Sequence, residues 1–121
     1  MITHNGFLVN QGVPAAATFD DLPIEVTDKT ITLKWSEPES NGRVITQYTV
    51  YRRIVTDGKP GEWTKLKTIT DVSVREFKVD LECCMVYEFV VTATNEIGES
   101  FKKVGRVERV KASGGMCYIY I

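Results

Sequence analysis

The sequence lacks the residue groups on which catalysis and metal binding usually depend. It has one histidine, His4, and three cysteines, of which Cys83 and Cys84 are neighbours and Cys117 lies close to the C-terminus. Acid–base and nucleophilic chemistry needs a nucleophile, a base or a metal within mutual reach, and zinc sites need ligands at characteristic spacings. The sequence contains neither such a set nor a glycine-rich phosphate loop. We therefore expect a protein that is not an enzyme and that binds no cofactor or metal.

The cysteines give no disulfide framework either. Three cysteines cannot all pair within one chain, and adjacent cysteines can be linked only with strained geometry. A chain of 121 residues can bury a hydrophobic core without a disulfide, so the cysteine count leaves the redox compartment open. We expect Cys83 and Cys84 to be small packing or surface residues, and a redox or intermolecular role is the alternative.

A large charge excess and a long apolar run are also missing. The net charge is −1, which predicts no general attraction to nucleic acid. No apolar run approaches the ~20 residues that span a bilayer, so we expect no membrane insertion by this fragment. The charge is nevertheless uneven, because residues 1–28 contain no Lys or Arg whereas residues 101–111 are mainly basic. These two stretches could meet in neighbouring tandem copies, or they could simply be solvated surface.

What the sequence does contain is a series of short alternating runs. Apolar residues recur at every second position in residues 31–35, 45–54, 77–81 and 87–93, as half-buried strands require. Turn residues such as Asn41-Gly42 separate the runs. The pattern predicts an all-β sandwich or barrel. We expect an N-terminal tail or linker over residues 1–16, a domain over 17–112 and a C-terminal extension over 113–121, with a glycine hinge at 113–115.

Four features with fixed spacings carry a family resemblance. They are a tryptophan at the end of the first run, the sequence Ile45-Thr-Gln-Tyr48-Thr-Val50, a leucine six residues before a tyrosine, and the sequence from Tyr87 to Ser100. Together they resemble a fibronectin type III domain. The resemblance implies an immunoglobulin-like, seven-stranded β-sandwich with N- and C-terminal extensions. The residues that it places in the structural core are Trp35, Tyr48, Leu81 and Tyr87, and it implies that the Tyr87 hydroxyl is bonded to upstream backbone.

Two candidate protein-binding surfaces follow from this arrangement. If alternate residues face the core, then Tyr51, Arg53, Val90 and Thr92 face outward on neighbouring strands and share an exposed patch. The alternative is that these residues only pair across strands and stabilise the sheet. The second candidate is the C-terminal extension, where Tyr118 and Tyr120 lie in an uncharged segment of high β propensity. That segment could add to the sheet as an edge strand or pair with a neighbouring chain.

The resemblance implies a non-catalytic protein-interaction and spacer module. We expect it to belong to a tandem array in a cell-adhesion protein or cell-surface receptor, and so to be extracellular. The first alternative is an intracellular scaffold or muscle-type filament module, which would be cytoplasmic. The second is a self-assembling domain that forms a homodimer through residues 116–121. In each case the expected partners are proteins or neighbouring domains.

Overall fold

The computed structural model describes residues 2–4, 7–9, 11–19, 25–26, 30–82, 85–111 and 117–120. Within these residues the chain forms strands and no helix. The strands are β1 (Ile2–His4), β2 (Phe7–Val9), β3 (Glu25–Val26), β4 (Thr30–Lys34), β5 (Gln47–Thr56), β6 (Lys59–Pro60), β7 (Thr64–Ile69), β8 (Glu76–Asp80), β9 (Met85–Thr94), β10 (Gly105–Lys111) and β11 (Cys117–Tyr120). Cys83, Cys84 and the expected hinge at 113–115 lie outside the described residues.

The strands form two main sheets and a separate hairpin. The larger sheet has the order β11-β10-β9-β5-β6, with β7 also paired to β5, and the smaller sheet has the order β3-β4-β8. Every pairing is antiparallel, including that of β1 with β2. Strands β3, β4 and β8 in one sheet and β5, β7, β9 and β10 in the other make the seven strands of the expected sandwich. The predicted fold class is confirmed.

The core lies between the two sheets and is centred on aromatic side chains. The rings of Trp35 and Tyr48 meet edge to face with centroids 5.7 Å apart, an arrangement that aromatic pairs favour. The core cluster includes all four residues expected there, Trp35, Tyr48, Leu81 and Tyr87, each of which is buried. The alternation along β4, β5, β8 and β9 therefore determines which side chains face inward.

Tyr87 ties the start of β9 to the chain that leads into it. Its hydroxyl oxygen accepts a hydrogen bond from the backbone N–H of Glu82 at 2.6 Å. Its ring stacks on that of Phe89, with the centroids 5.9 Å apart. A buried tyrosine usually has a partner for its hydroxyl, and this bond satisfies the hydroxyl and ties the backbone of Glu82 to β9.

The N-terminal region contains more structure than a linker. Beyond the β1–β2 hairpin, the backbone N–H of Gly12 donates to Asn41 O at 3.0 Å and that of Ala15 donates to Glu39 O at 2.9 Å. Pro14 is fully buried. Residues 11–16 had been expected to belong to a tail because they show no hydrophobic period. Main-chain hydrogen bonds hold them against the sandwich instead. Such bonds do not depend on the type of side chain, so a hydrophobic pattern cannot predict them.

The C-terminal extension adds a strand to the larger sheet. Strand β11 pairs with β10 in the register Lys111 to Cys117 and Glu108 to Tyr120, and β10 in turn pairs with β9. Of the two arrangements expected for this segment, the structure has the one in which it pairs within its own chain. The last strand of the larger sheet is therefore β11.

Candidate interaction surfaces

The first candidate surface is the outer face of the larger sheet. Strands β5 and β9 are neighbours, with Tyr51 opposite Val90 and Arg53 opposite Glu88. Residues directly opposite one another share a face, and Val50, which directly precedes Tyr51, packs in the core. The structure therefore brings Tyr51, Arg53 and Val90 together on the face that points away from the core.

Two of the four residues expected in this patch are not exposed. Val90 and Thr92 both have an exposed fraction of 0%, in contrast to the expectation that they would be available to a partner. Tyr51 lies directly opposite Val90, and Glu99, from the segment after β9, is hydrogen-bonded to Thr92 at 2.5 Å. Side chains from another strand and from the following connection thus cover them. Tyr51 and Arg53 themselves are half-buried.

Glu99 joins the connection after β9 to the middle of the sheet. Its Oε2 atom accepts hydrogen bonds from the Tyr51 hydroxyl and the Thr92 hydroxyl, each at 2.5 Å. Lys102 from the same connection places its Nζ 5.0 Å from the centroid of the Tyr51 ring, within the range of a cation–π contact. Two side chains of this connection are therefore attached to one tyrosine of β5.

These contacts also change the acidity of both partners. Burial, and then the hydrogen bond to the Glu99 carboxylate and its charge, raise the pKa of Tyr51 to about 12. For Glu99, burial acts to raise the pKa, but the hydrogen bonds from Thr92 and Tyr51 and the charges of two lysines together outweigh it. The pKa of Glu99 is therefore lowered. At neutral pH the pair is a neutral phenol that donates to a carboxylate.

Arg53 forms a second group on the same face. Its Nε donates to Glu88 Oε1 at 2.8 Å, and the two side chains are only 22% and 13% exposed. The Arg53 guanidinium carbon lies 4.2 Å from the centroid of the Trp63 ring, so the cation is held between a carboxylate and an aromatic face. Trp63 directly precedes β7 and is not among the residues predicted for this surface. An aromatic residue just before the run Thr64–Ile69 is the feature of the sequence that could have indicated it.

The Tyr51 hydroxyl and the Arg53 guanidinium on this face thus contact other residues of the same domain. A partner that bound to Tyr51 or Arg53 would have to compete with Glu99 or Glu88 for them. This arrangement is what cross-strand stabilisation requires. A role for Tyr51 and Arg53 in protein binding stays a prediction, as does one for Tyr118 and Tyr120, whose strand pairs with β10.

The loops at one end of the sandwich form a third candidate surface. Strands β4, β7 and β9 end there, and the loops that follow them, residues 36–46, 70–75 and 95–98, are called the loop end below. Backbone bonds link them to the strands: the Trp35 N–H donates to Arg75 O at 3.1 Å and the Thr46 N–H to Thr94 O at 2.8 Å.

Asn95 holds the loop end together. Its side-chain Nδ2 donates to Gly12 O at 2.8 Å and to Ser40 O at 2.9 Å. Its Oδ1 accepts from the backbone N–H groups of Ile97 at 2.9 Å and Gly98 at 3.2 Å. The residue is 4% exposed. One buried amide therefore connects the N-terminal segment to two different loops.

Two further interactions act at the same place. Asn41 and Gly42 both have positive φ angles, 55° and 95°, a conformation that asparagine and glycine adopt most readily. This turn lets Asn41 Nδ2 donate to Val13 O at 2.9 Å. Arg43 forms an ion pair with Glu96 at 2.9 Å across the two loops. The loop end is thus ordered by polar contacts.

Within the described residues, no group of three or more His, Cys, Asp and Glu side chains could hold a metal ion. The same part of the chain has no helix that is long and apolar enough to cross a membrane.

Comparison with known proteins decides the family. The family model of the fibronectin type III domain matches residues 17–107, which include the sandwich strands from β3 to the start of β10. The chain belongs to the fibronectin type III family. No enzymatic family is indicated, and the resemblance found in the sequence is confirmed.

The relatives of this fibronectin type III chain include very large proteins. It is 34% identical over 77 residues to a titin homolog of Caenorhabditis elegans and 32% identical over 80 residues to titin of Drosophila melanogaster. These matches cover 63% and 64% of the chain and, to the nearest per cent, 0% of each relative. The chain therefore spans a minute share of the length of these curated relatives.

Solved structures agree on the fold. The twitchin kinase region from C. elegans matches with a TM-score of 0.60 at 18% identity, over 88% of this chain and 20% of that one. The solution structure of a fourth human FNIII domain matches with a TM-score of 0.65 at 19% identity, over 88% and 83% of the two chains. At these identities the likeness shows the fold alone.

Proposed function

We propose that the chain is a non-catalytic structural module of an intracellular, titin-like filament protein, in which it separates and contacts neighbouring domains. The similarity to two titins, at 34% and 32% identity, carries this proposal. Because the chain matches only a minute part of each relative, a module within a much longer polypeptide is the simplest interpretation.

The geometry of the module supports a structural role. The outer face of the larger sheet uses its charged and aromatic side chains in internal contacts, as with Arg53 and Glu88 at 2.8 Å. A spacer needs a stable domain whose faces do not attract unrelated partners, and internally paired polar groups serve that purpose. Its contacts with neighbours then occur at its ends.

The competing proposal is the cell-adhesion or receptor module that the sequence analysis favoured. It rests on the fibronectin type III resemblance alone, since that family occurs in such proteins. The titin similarity favours the intracellular filament alternative. The two proposals differ in compartment, so they can be separated by experiment.

An antibody raised against the folded chain tests the compartment in cells that express the parent protein. We expect staining only after permeabilisation, in a filament pattern. When the parent protein is labelled with a thiol reagent under denaturing conditions and its peptides are mapped, we expect Cys83, Cys84 and Cys117 all to be labelled as free thiols. Antibody absorbed with the purified chain is the control. Staining of intact cells, or a dimer linked through Cys117, would favour the cell-surface module and contradict the filament proposal.

Self-assembly through β11 is a second candidate function, favoured by a contrast between sheet edges. The edge strand β7 carries Lys65 and Lys67, and the edge strand β8 carries Glu76 and Lys78. Such charges prevent strands of other molecules from adding to an edge. Strand β11, with the sequence CYIY, has none, so two copies could pair edge to edge without placing like charges opposite each other.

Deletion of residues 113–121 tests this candidate. The deletion makes β10 the edge strand, and β10 carries four charged residues. We expect the shortened chain to stay folded and to sediment as a monomer at concentrations where the full chain dimerises. Sedimentation that is identical before and after the deletion would remove the candidate.

A further inference from the structure

We propose that the hairpin of β1 and β2 adds to the open edge of β11 in a second copy of this chain, and that two such contacts join two modules as a dimer. The inference rests on the self-assembly proposed for β11, and it goes further by naming the segment that pairs with this edge. Three observations carry it: the hairpin has no third strand, the edge of β11 has no charge, and the two lie far apart within one chain.

The N-terminal hairpin is well specified by its sequence but small. Strands β1 and β2 pair with His4 opposite Phe7. The residues between them, Asn5-Gly6, form a dipeptide that favours two-residue hairpin turns. Among the described strands, neither β1 nor β2 pairs with a strand of the sandwich. An isolated two-stranded hairpin is only marginally stable in water, so a third strand at its edge would stabilise it.

The middle pair of the hairpin directs its main-chain groups outward. In a two-residue hairpin, the pair that flanks the turn, here His4 and Phe7, is hydrogen-bonded. Because hydrogen-bonded and non-hydrogen-bonded pairs alternate, the N–H and C=O groups of Thr3 and Leu8 point away from the hairpin, one set at each edge. Residues 1–19 contain no Asp, Glu, Lys or Arg. No such charge on the hairpin therefore opposes the addition of a strand.

The edge of β11 differs in charge from the other sheet edges that the structure describes. The other edge strands of the two sheets are β3, β6, β7 and β8, and each carries at least one charged residue. Strand β11, with the sequence CYIY, carries none. Because charged residues on an edge strand oppose the addition of a further strand, β11 is the edge that accepts one most readily.

The hairpin does not reach β11 of its own chain. Gly12 is bonded to Asn95 at the loop end. Tyr120 lies opposite Glu108 in β10, and Glu108 lies opposite Val86 in β9. Val86 is nine residues before Asn95, and nine strand residues span about 30 Å. The chain from Gly12 back to the turn of the hairpin is about six residues long and spans about 20 Å when extended. The strand that pairs with β11 therefore comes from another copy.

A second copy supplies two contacts at once. The hairpin is attached at the loop end, whereas β11 lies towards the opposite end of the larger sheet. Two modules that lie side by side in opposite directions thus place each hairpin next to β11 of the other copy, and a twofold axis relates the two contacts. Main-chain hydrogen bonds supply the affinity of each contact. The second contact forms within the complex at a high effective concentration, which a partner with a single strand would not provide.

Photo-crosslinking of the full chain tests this pairing. The photoreactive residue p-benzoylphenylalanine is placed at Tyr120 in β11, and at Lys67 in the charged edge strand β7 as the matched control. An equal mixture of isotopically light and heavy chains is irradiated, and crosslinked peptides that contain both isotopes identify contacts between copies. We expect such peptides to join the Tyr120 position to residues 2–9, and the Lys67 position to give none with that segment.

The isotopes also separate the competing arrangements. Mixed-isotope crosslinks from the Tyr120 position to residues 117–120 would show that two β11 strands pair with each other. That result would overturn this inference and leave self-assembly through β11 standing. Crosslinks to residues 2–9 found only within single chains would also overturn it, and so would the absence of any crosslink. The staining experiment decides the filament proposal separately from these results.

Proline substitutions give a second readout by sedimentation. Thr3→Pro combined with Leu8→Pro removes the outward N–H from each hairpin edge and keeps the bonds between β1 and β2. We expect dimerisation to weaken about tenfold or more, because strand addition depends on main-chain hydrogen bonds. Thr3→Val combined with Leu8→Val keeps every N–H and should dimerise as the unchanged chain does. The Tm of the sandwich should be the same in both variants, since the hairpin pairs with none of its described strands. Equal dimerisation of the proline and valine variants would refute the inference.

Discussion

Replacement of Asn95 is the sharpest test of how the loop end is ordered. Asn95→Asp keeps the size of the side chain and the oxygen that accepts from Ile97 and Gly98, at 2.9 and 3.2 Å. It removes the Nδ2 donor that serves Gly12 O and Ser40 O, at 2.8 and 2.9 Å. The substitution therefore tests the hydrogen-bond donor of the amide separately from its acceptor.

The expected loss follows from the number of bonds removed. A hydrogen bond contributes about 1 kcal/mol net, and a buried partner left without one costs about 1–3 kcal/mol. Two bonds are lost at a site that is 4% exposed, so we expect Asn95→Asp to lower the free energy of unfolding by about 2 kcal/mol. Asn95→Ala also removes the two bonds that Oδ1 accepts, and we expect a loss of about 3–4 kcal/mol.

The stability of Asn95→Asp should change with pH in a defined direction. Burial and the carbonyl oxygens of Gly12 and Ser40 favour the neutral form of the introduced carboxyl, whereas the N–H groups of Ile97 and Gly98 favour the charged form. We expect the first two effects to be larger and the pKa to be raised in the folded state. A raised folded-state pKa gives stability that is present below the unfolded-state value and lost as the pH rises through the folded-state value. The deficit of Asn95→Asp should thus be smallest at acidic pH, and Asn95→Ala should show no such recovery.

Urea unfolding and amide hydrogen exchange provide the measurements. The Gly12 N–H, bonded to Asn41 O at 3.0 Å, should exchange faster in Asn95→Asp. The Gly61 N–H, bonded to Ile54 O at 2.8 Å at the opposite end, is the control, and its exchange should change only through global stability. A loss below about 0.5 kcal/mol, or an unchanged rate at Gly12, would refute the account of Asn95 as the residue that attaches the N-terminal segment.

Three further predictions concern side chains of the larger sheet. Tyr87→Phe removes the acceptor of the 2.6 Å bond from the Glu82 N–H; urea unfolding should show a loss of about 1–2 kcal/mol, and an equal stability would contradict it. A double-mutant cycle between Arg53→Met and Glu88→Gln should give a coupling of about 1 kcal/mol, because the pair is mostly buried; zero coupling would class it with exposed ion pairs. The pKa of Tyr51 is raised from 10.0 to about 12, so its contribution to stability is present below pH 10 and is lost as the pH rises towards 12. Tyr51→Phe should flatten the stability curve in that alkaline range, and an unchanged slope would show that Tyr51 does not titrate in this way.

Strand positions were the most predictable part of the molecule. The runs at 31–35, 45–54, 77–81 and 87–93 correspond to β4, β5, β8 and β9, and the bounds differ by one or two residues at each end. A half-buried strand must alternate, because successive side chains point to opposite faces. The alternation in the sequence therefore predicts which residues face the core, and those residues belong to the core cluster.

The exposure of the other face could not be predicted in the same way. Alternation places Val90 and Thr92 away from the core, but it does not say what lies above them. The residue that covers Thr92 is Glu99, in a connection whose path depends on the whole sheet, and its other partner, Tyr51, is 48 residues away in sequence. Period-two patterns contain local information only, and this burial arises from contacts across the fold.

The N-terminal segment illustrates a different limit. Residues 11–16 have no apolar period, and Gly12 and Pro14 are typical of linkers. Their order comes from backbone groups that bond to Asn41, Glu39 and Asn95. Main-chain bonds to distant loops depend on the shape of the folded domain, so composition alone pointed to a tail.

The distribution of charge at the edges and faces bears on how such a module would be arranged in a filament. Lysines on β7, mixed charges on β8 and the internally paired outer face each oppose association along the sides of the sandwich. The loop end, with Val44 and Ile97 exposed, lacks that protection. Because contacts through the β7 and β8 edges and through the outer face are disfavoured, the contacts left to the module are those at its ends and at the uncharged β11 edge. Contacts at the ends would run along the polypeptide, whereas a contact through β11 would join one chain to another.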